Sequence, residues 1–284
     1  MNENGRHKVI VITGASSGFG RAAAERLASG GHHVYGLSVD AVRPARSHEG
    51  RLQHVRVDIR SDAQVKGAIR AIIRNEKRID VLVNNAGIGV AGAVEETSTD
   101  EAHDLFEVNF WGLHRLCRLV VPQMRRQGSG TIVNVSSLAG FQAIPFQGFY
   151  SASKFAVEGI SEALSMELKP FGIRVCVVEP GDAATSFVRN RLYSRQSNRS
   201  AYGGRFHSVM RTVERDEENG MAPDVVGRCI ARIAERGPRR FRYMVGDPLQ
   251  RAAVRVKHLV PHALFEGGAL ILFGASRPPR KLAG

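Results

Sequence analysis

A phenol and an amine lie four residues apart at Tyr150 and Lys154. If this segment is helical, the two side chains lie one turn apart on the same face of the helix. An ammonium group beside a phenol favours the phenolate, and it lowers the phenol pKa from its ordinary value of about 10. Such a tyrosine can exchange a proton with an alcohol or a carbonyl near neutral pH. The same spacing occurs on ordinary solvated helices, so the pair indicates acid–base chemistry only together with further features.

A glycine-rich segment, Thr13–Gly20 (TGASSGFG), is the second feature that points to chemistry. It follows a continuous β-branched run and opens a helical stretch. Glycines let the backbone turn sharply and approach a pyrophosphate, whose charge is met by amides at the helix N-terminus. The segment therefore predicts a dinucleotide-binding turn.

The elements that must position these residues alternate between strand and helix. We predict strands at Lys8–Thr13, His33–Ser38, Leu52–Val57, Val81–Val83, Thr131–Val135, Arg174–Val178 and Phe241–Val245. We predict helices at Gly18–Ser29, around residues 65–73, and at Glu101–Gln127, Ala152–Lys169 and Met221–Glu235. Because the strands read as buried runs, this order predicts an α/β fold with a doubly wound parallel sheet, the Rossmann fold. Ligands of such sheets bind at the carboxyl ends of the strands.

The predicted domain covers residues 1–248, and a basic extension covers residues 249–284. Within the domain, Ser186–Asn219 shows no periodic pattern, and we interpret this long loop as a lid over the substrate. From Leu249 onward apolar residues recur at helical spacing between basic ones, until Pro261 ends or kinks the helix. Such a helix can lie on a membrane surface or pack on its own domain.

The net charge of +13 is concentrated in two segments. Ala183–Val213 carries six arginines and no acid, and Gly237–Gly284 carries nine basic residues against two acids. These segments suggest an acidic partner, an anionic substrate or anionic lipid, and the alternative is arginines extending from ordinary surface helices. No nucleic acid is expected, because recognisable binding motifs and interleaved aromatic residues are absent from the sequence.

The same sequence favours a cytoplasmic protein, with peripheral membrane association as an option. The polar N-terminus leads straight into a strand, so no signal peptide is expected. The longest apolar run, Ala269–Phe273, is too short to span a bilayer. Cys117, Cys176 and Cys229 are widely spaced, which indicates free buried thiols and no metal site of the CxxC type.

Several motifs in the same order resemble those of the classical short-chain dehydrogenase/reductase family, over residues 8–245. They are the TGxxxGxG turn, Asn84-Asn85-Ala86-Gly87, Asn109, Ser136-Ser137, Tyr150-x-x-x-Lys154, and Pro180-Gly181 followed by Thr185. The resemblance implies a catalytic set of Asn109, Ser137, Tyr150 and Lys154. In that family the serine lies thirteen residues before the tyrosine, which selects Ser137 over Ser136.

The resemblance also implies a role for each member of this set. Tyr150 would be the general acid or base, and Ser137 would donate a hydrogen bond to the substrate oxygen. Lys154 would lower the tyrosine pKa and bind the nicotinamide ribose. Asn109 would hold a water that links Lys154 to solvent, and its alternative role is to satisfy the backbone of a kinked helix.

A cofactor site of NAD(P) type follows from the same motifs. The implied contacts are Gly14, Ser16, Ser17, Gly18, Phe19, Gly20, Ser38, Asp58, Ile59, Asn85, Ala86, Gly87, Tyr150, Lys154, Pro180, Gly181 and Thr185. Thr185 is alternatively a plain helix N-cap. Ser38 stands where an acid would hold the ribose 2′-hydroxyl of NAD, which favours NADP(H). Arg43 or Arg46 would then meet the 2′-phosphate, whereas Asp40 would oppose it as a substitute acid.

The predicted substrate is an apolar secondary alcohol or ketone such as a steroid, a retinoid or a lipid derivative. An apolar slot is suggested by Leu138, Phe141, Ile144, Phe146 and Phe149, together with Ile88, Val90 and Phe187. Some of these residues are alternatively core or dimer contacts. Ser153–Gly159 resembles the hydroxysteroid and retinol dehydrogenase branch of the family.

Two further functions stay open at this point. One is a carrier-bound 3-ketoacyl reductase whose basic lid docks an acidic carrier protein. The other is a dinucleotide-binding sensor or scaffold without turnover. Similarity to the family also implies a homodimer or homotetramer, formed through the helices Glu101–Gln127 and Ala152–Lys169.

Overall fold

The computed structural model describes residues 7–40, 51–196, 201–257 and 259–275. A seven-stranded, all-parallel sheet forms the centre, with strand order β3-β2-β1-β4-β6-β7-β9. Its strands are β1 (Val9–Thr13), β2 (His33–Ser38), β3 (Leu52–Arg56), β4 (Val81–Asn84), β6 (Gly130–Val135), β7 (Ile173–Pro180) and β9 (Arg242–Val245). Two short strands, β5 (Val90–Ala91) and β8 (Leu192–Tyr193), pair separately. The predicted doubly wound Rossmann fold is confirmed.

Both faces of the sheet are covered, which explains why the strands read as continuous apolar runs. Val9 and Val11 of β1 pack on one face, and Ile10 and Ile12 pack on the other. The first face meets the helices α2 (Asp62–Glu76), α4 (Gly112–Gln127) and α5 (Gly148–Leu168). The second face meets α1 (Gly18–Ser29) and α8 (Pro223–Arg236).

The sheet places a crevice between β1 and β4. From β1 the strand order runs outward through β2 to β3, and from β4 it runs outward in the opposite direction. The helices after β1 and β4 therefore leave toward opposite faces, so a gap opens at the carboxyl ends of these two strands. Both motif-bearing turns, Gly14–Gly20 and Asn85–Gly87, lie there.

The predicted helix at Glu101–Gln127 is interrupted in its middle. It consists of α3 (Thr99–Phe106), a π-helical turn at Glu107–Trp111 and α4. Asn109 is buried at the centre of this turn. A π-turn inserts an extra residue into the helix and often marks a functional site.

Residues 186–219 differ from the sequence prediction, which treated them as a loop without regular structure. They contain α6 (Ser186–Arg189), β8 and the long helix α7 (Gly203–Glu218). Phe206, Val209, Met210 and Val213 are buried along one face of α7. This apolar face is short and lies among arginines, which is why the pattern suggested no helix.

The extension after residue 248 folds into two helices on the domain. These are α9 (Pro248–Val256) and α10 (His262–Leu272), and the first ends before Pro261, as predicted. Val254 is buried, and Ala275 packs on Val209 and Val213 of α7. The extension therefore contacts the segment that was interpreted as the lid.

Several predictions concern features outside the site. The predicted connection at Arg43–Glu49, including Arg43 and Arg46, lies outside the described residues. In the described part of the chain, no helix has the length and apolar character needed to cross a membrane. The described residues also hold no group of three or more metal-binding side chains. The three cysteines are free, and Cys117 and Cys176 are buried.

Candidate active site

The glycine turn is held to the loop after β4 by a hydrogen-bond lattice around Thr13. Its hydroxyl oxygen accepts from the main-chain amides of Asn85 and Ala86, each at 3.0 Å. The Asn85 side-chain amide donates to the carbonyls of Thr13 at 2.9 Å and Gly14 at 3.2 Å. Two motifs that are 71 residues apart in the sequence are therefore held together at the base of the crevice.

The turn has the shape that a pyrophosphate needs. Gly14 and Gly18 have φ values of +66° and +53°, which side-chain-bearing residues rarely adopt. A Cβ atom at Gly20 would collide with the Gly14 carbonyl and the Asn85 amide. In the described structure the Ser17 side chain does not cap α1, so the first amides of this helix face the crevice. The residues present thus fit the diphosphate of a dinucleotide.

A single cleft of about 580 Å³ runs from this turn to Tyr150. Its walls include nearly all the residues predicted to bind the cofactor: Gly14, Ser16, Ser17, Gly18, Phe19, Ser38, Asp58, Ile59, Asn85, Ala86, Gly87, Tyr150, Lys154, Pro180, Gly181 and Thr185. Gly20 is the exception, because it lies beneath the turn and packs on Gly14.

Tyr150, Lys154 and Ser137 meet at the far end of this cleft. Tyr150 lies in the first turn of α5, which begins four residues before its predicted start at Ala152. The Lys154 ammonium nitrogen donates to the Val135 carbonyl at 3.0 Å and lies 5.8 Å from the centroid of the Tyr150 ring. The Ser137 hydroxyl oxygen accepts from the Ala139 amide at 3.1 Å.

The acidity of this group differs from the sequence prediction. Burial raises the pKa of Tyr150 to about 12, although its hydrogen bond with Ser137 acts in the opposite direction. Burial also lowers the pKa of Lys154 to about 8, against the attraction of Glu158. The prediction that Lys154 lowers the phenol pKa is therefore wrong here, because desolvation dominates both groups. Tyr150 is a neutral phenol at neutral pH.

Asn109 is engaged by protein groups on every side of its amide. Its Oδ1 accepts from the Ile88 amide at 2.8 Å, and its Nδ2 donates to the Ile88 carbonyl and the Ser153 hydroxyl, both at 3.0 Å. These bonds tie the π-turn to α5 and to the loop after β4. These three bonds go to Ile88 and Ser153 and not to the backbone of the π-turn, so the water-holding role and the alternative of satisfying a kinked helix both stay predictions.

The adenosine end of the cleft carries a carboxylate at Asp40. The Ser16 hydroxyl donates to Asp40 Oδ2 at 3.2 Å, and the Ser38 hydroxyl donates to the Asp40 carbonyl at 2.9 Å. Asp58 is paired with Arg60, whose Nη2 lies 2.7 Å from Asp58 Oδ2 and whose hydrogen bonds lower the pKa of Asp58. Asp40 thus folds back toward the glycine turn, as the alternative interpretation expected.

Thr185 serves as a helix cap and also faces the cofactor turn. Its hydroxyl oxygen accepts from the Phe187 amide at 3.2 Å at the start of α6. A Cβ atom at Gly18 would lie 3.7 Å from the Thr185 Cβ. Thr185 therefore closes the crevice opposite the glycine turn.

The apolar slot only partly follows the prediction. Ile88, Leu138, Ile144 and Phe187 line the cleft, and the Phe187 ring centroid lies 5.5 Å from that of Tyr150. The remaining predicted residues are packing residues. Val90 and Phe149 belong to a core cluster, Phe146 packs on Phe206, and Phe141 lies against Arg242. Aromatic type alone does not show which side chains face a cleft.

The extension and α7 contribute a wall of the cleft that the sequence did not reveal. Gln250, Ala253, Val254, Leu272 and Phe273 line the cleft from the extension, and Asp182, Asp216 and Glu217 line it from the domain. The apolar stripe of α9 was a signal for packing, but nothing in the sequence showed on which surface it packs.

Both basic segments are partly neutralised within the fold. The Arg191 side chain is 0% exposed, and its Nη2 lies 2.5 and 2.6 Å from the Glu217 carboxylate oxygens. Arg242 pairs with Glu158 at 2.6 Å and Glu162 at 3.0 Å. These arginines are structural, so the docking surface expected from charge alone is smaller than the sequence indicates.

Known proteins resemble this chain along almost its whole length. Residues 8–196 match the family model for short chain dehydrogenase. The chain is 41% identical over 271 residues to 3-ketodihydrosphingosine reductase from Bacteroides thetaiotaomicron, covering 95% of this chain and 99% of the relative. It is 36% identical over 198 residues to 17-beta-hydroxysteroid dehydrogenase type 1 from Homo sapiens, covering 66% and 60% of the two chains. A short chain dehydrogenase/reductase from Burkholderia phymatum in complex with NAD superposes with a TM-score of 0.77 at 29% identity, covering 98% of each chain.

Proposed function

The chain belongs to the short-chain dehydrogenase/reductase family, and from that premise we propose that it reduces a long-chain aliphatic ketone to the secondary alcohol. Family membership makes it an NAD(P)-dependent oxidoreductase of alcohol and keto groups. The observation that carries the proposal is the Tyr150 phenol, hydrogen-bonded with Ser137 at the end of an apolar cleft, and the reductive direction follows the relative that is named a reductase. A group that keeps its proton at neutral pH is suited to donate it to a carbonyl oxygen.

The residues of the site would have separate roles in this reaction. The turn Gly14–Gly20, Thr185 and Lys154 would hold the coenzyme, which supplies a hydride from its nicotinamide when bound. Ser137 donates a hydrogen bond to the carbonyl oxygen and stabilises the negative charge that develops there. Tyr150 would give its phenolic proton to that oxygen as negative charge develops on it, so the product would be a neutral secondary alcohol.

The proposed substrate class rests on the apolar walls and on one relative. Leu138, Ile144, Phe187, Val254 and Phe273 all line the cleft, and such apolar walls suit an alkyl chain. The Bacteroides thetaiotaomicron relative is named for a long-chain keto base. A ketone of the 3-ketodihydrosphingosine type is therefore the first compound to test, ahead of steroids, retinoids and carrier-bound 3-ketoacyl groups.

The decisive experiment measures the rate of NADPH or NADH oxidation in the presence of that ketone. It compares the parent protein with the variant Tyr150→Phe. We expect Tyr150→Phe to lower kcat by about 10²- to 10⁴-fold, because the proton donor is lost. Nucleotide binding, measured by fluorescence titration, should be nearly unchanged. Near-normal turnover by the variant would overturn the mechanism, and no turnover of the ketone by the parent protein would overturn the substrate class.

For the coenzyme we propose NADP(H), because Ser38 leaves the end of β2 without an acid. Asp40 opposes this choice through its carboxylate, but it is exposed and solvent weakens the repulsion. Titration with NADPH and NADH, for the parent protein and Asp40→Ala, tests both points. Tighter NADPH binding by the parent, increased further in Asp40→Ala, is expected. Tighter NADH binding by the parent that is lost in Asp40→Ala would assign the acid's role to Asp40.

We also propose that α9 and α10 contact an anionic membrane surface, from the cytoplasmic side. Leu249 of α9, Leu264 and Ile271 of α10, and Leu259 between the two helices are exposed apolar residues, and the basic residues of this region include Arg251, Arg255 and Lys257. Leu272 and Phe273, at the end of α10, also line the cleft, so the same helix would join the membrane to the substrate site. Salt-sensitive co-sedimentation with phosphatidylglycerol vesicles, absent for Leu264→Glu, is the expected result. Equal sedimentation of both proteins, or of neither, would contradict it.

A homodimer through the outer faces of α4 and α5 is the proposed assembly. Exposed Phe155 and Met166 lie on α5, and exposed Trp111 lies at the start of α4. Light scattering should give a dimer or tetramer that Phe155→Arg dissociates. A monomer in the parent protein at working concentration would contradict this assembly.

A further inference from the structure

We propose that Asp182 binds a cationic amine next to the substrate carbonyl, so that the enzyme selects α-amino ketones over plain ketones. This inference rests on the proposed function, because it concerns the substrate of the same cleft. It assigns a specificity-determining contact to a residue that no motif marks.

Asp182 is placed beside the reacting groups by the end of β7. It follows Pro180 by two residues, and the Pro180 carbonyl oxygen lies 3.5 Å from the Ser137 hydroxyl. Asp182 lines the same cleft as Ser137 and Tyr150. The Asp182 charge also acts on the Tyr150 phenol, so we place Asp182 close enough to meet a cation on the carbon next to a carbonyl bound between Ser137 and Tyr150.

The carboxylate is oriented from the extension by Gln250. The Gln250 side-chain amide donates to Asp182 Oδ2, and its Oε1 accepts from the Asp182 main-chain amide at 3.4 Å. The two residues that these contacts join are 68 positions apart in the sequence. Gln250 thus holds the Asp182 carboxylate at the cleft wall and leaves Oδ1 without a hydrogen bond from a described residue.

Asp182 has no ion-pair partner among the described residues, although its hydrogen bond from Gln250 and the more distant Arg191 favour the charged carboxylate. The neighbouring carboxylate of Glu217 is neutralised by Arg191, but no described lysine or arginine forms an ion pair with Asp182. Asp216 lines the same wall and repels it, and burial, the largest cause, raises the pKa of Asp182. A half-buried carboxylate without a cation is costly, and a ligand cation would remove that cost.

The substrate class proposed above carries such a cation. 3-Ketodihydrosphingosine is a long-chain ketone with an amine on the carbon next to the carbonyl. Its ammonium group would give Asp182 a charge-assisted hydrogen bond, which is among the stronger polar contacts in proteins. The alkyl chain would lie along the apolar walls, while Asp182 and Gln250 hold the polar end.

The test compares a medium-chain α-amino ketone with the ketone of the same length that lacks the amine. We expect the parent protein to prefer the amino ketone in kcat/KM by at least about tenfold, which corresponds to about 1.4 kcal/mol. Asp182→Asn, which keeps an acceptor for Gln250, should lower kcat/KM for the amino ketone about tenfold more than kcat/KM for the plain ketone, so that the preference is lost. Asp182→Glu should restore part of it. Asp216→Asn removes a charge from the same wall and should change selectivity less.

Each outcome decides between distinct explanations. If Asp182→Asn lowers kcat/KM equally for both ketones, Asp182 has a structural role and the inference is overturned. If the parent protein reduces the plain ketone as well as the amino ketone, the inference fails while the proposed reductase function stands. If it reduces neither ketone yet binds NADPH, the proposed function fails, and the inference fails with it. A second readout is the equilibrium affinity of the parent protein and of Asp182→Asn for the amino alcohol product. We expect this affinity to be about tenfold weaker in the variant.

Discussion

Replacing Glu217 by glutamine should destabilise the protein more than any surface charge change. Arg191 is 0% exposed and Glu217 is its ion-pair partner, at 2.5 and 2.6 Å from Nη2. The Nε and Nη1 atoms of Arg191 have no hydrogen-bond partner among the described residues, so Glu217 is the main group that compensates the guanidinium, with a smaller contribution from Glu214. Breaking a buried ion pair by removing one partner costs about 3–5 kcal/mol, whereas an exposed pair is worth about 0–1 kcal/mol.

The assay is equilibrium unfolding in urea, followed by circular dichroism, for the parent protein, Glu217→Gln and one double variant. Glu217→Gln should lose about 3–5 kcal/mol of unfolding free energy. Arg191→Met combined with Glu217→Leu should recover most of that loss, because apolar replacements of a buried pair are often close to neutral. A loss below about 1 kcal/mol for Glu217→Gln would show that Arg191 behaves as a surface charge and would refute the reasoning.

The same pair should also matter for the site. The Arg191 guanidinium lies 5.9 Å from the Phe187 ring, and Phe187 contacts Tyr150. Loosening Arg191 should let Phe187 move from the cleft wall. We therefore expect Glu217→Gln to raise KM for the ketone more than it lowers kcat, with the double variant closer to the parent.

Two further predictions test the catalytic lysine and the cofactor turn. The kcat/KM of ketone reduction should be nearly constant below pH 8 and should fall above pH 8. The pKa of Lys154 is about 8, so its ammonium group loses its proton as the pH rises through that value. Tyr150, with a pKa of about 12, keeps its proton over the same range. A profile that rises through pH 8 would contradict this assignment. Gly20→Ala should abolish tight nucleotide binding, because the added Cβ would collide with the Gly14 carbonyl. Gly67→Ala is the control, since a Cβ atom there meets nothing within 4 Å. We expect it to stabilise α2 by about 0.5–1 kcal/mol and to leave nucleotide binding unchanged. Equal nucleotide affinity in both variants would show that the turn does not need its close packing.

Local patterns were sufficient to predict the sheet. The β-branched run at Lys8–Thr13 became β1, and β2 has its predicted bounds at His33–Ser38. Continuous apolar strands are required wherever helices cover both faces, so they mark a parallel sheet without any tertiary information. The π-turn at Asn109 was not visible in this way, because it depends on hydrogen bonds to Ile88 and Ser153 from elsewhere in the chain.

The motifs likewise identified the ends of the cleft but not its walls. Gly14, Ser137, Tyr150 and Lys154 lie where their spacing implies, since each follows a strand or opens a helix. The walls come from Asp182 and Gln250, which are 68 residues apart and meet only in the folded chain. Residue type alone also misassigned Phe146, which packs on Phe206.

Periodicity and motifs a few residues long were enough to identify the fold class, the family and the chemical groups that meet at the crevice. The ionisation of those groups depends on their surroundings in the folded chain. Burial, which no local pattern reports, raises the pKa of Tyr150 and lowers the pKa of Lys154. Burial also turned Arg191 from an expected surface charge into half of an internal ion pair, and it raises the pKa of Asp182. Charge and acidity are set by what surrounds a side chain, and the surroundings come from distant parts of the chain.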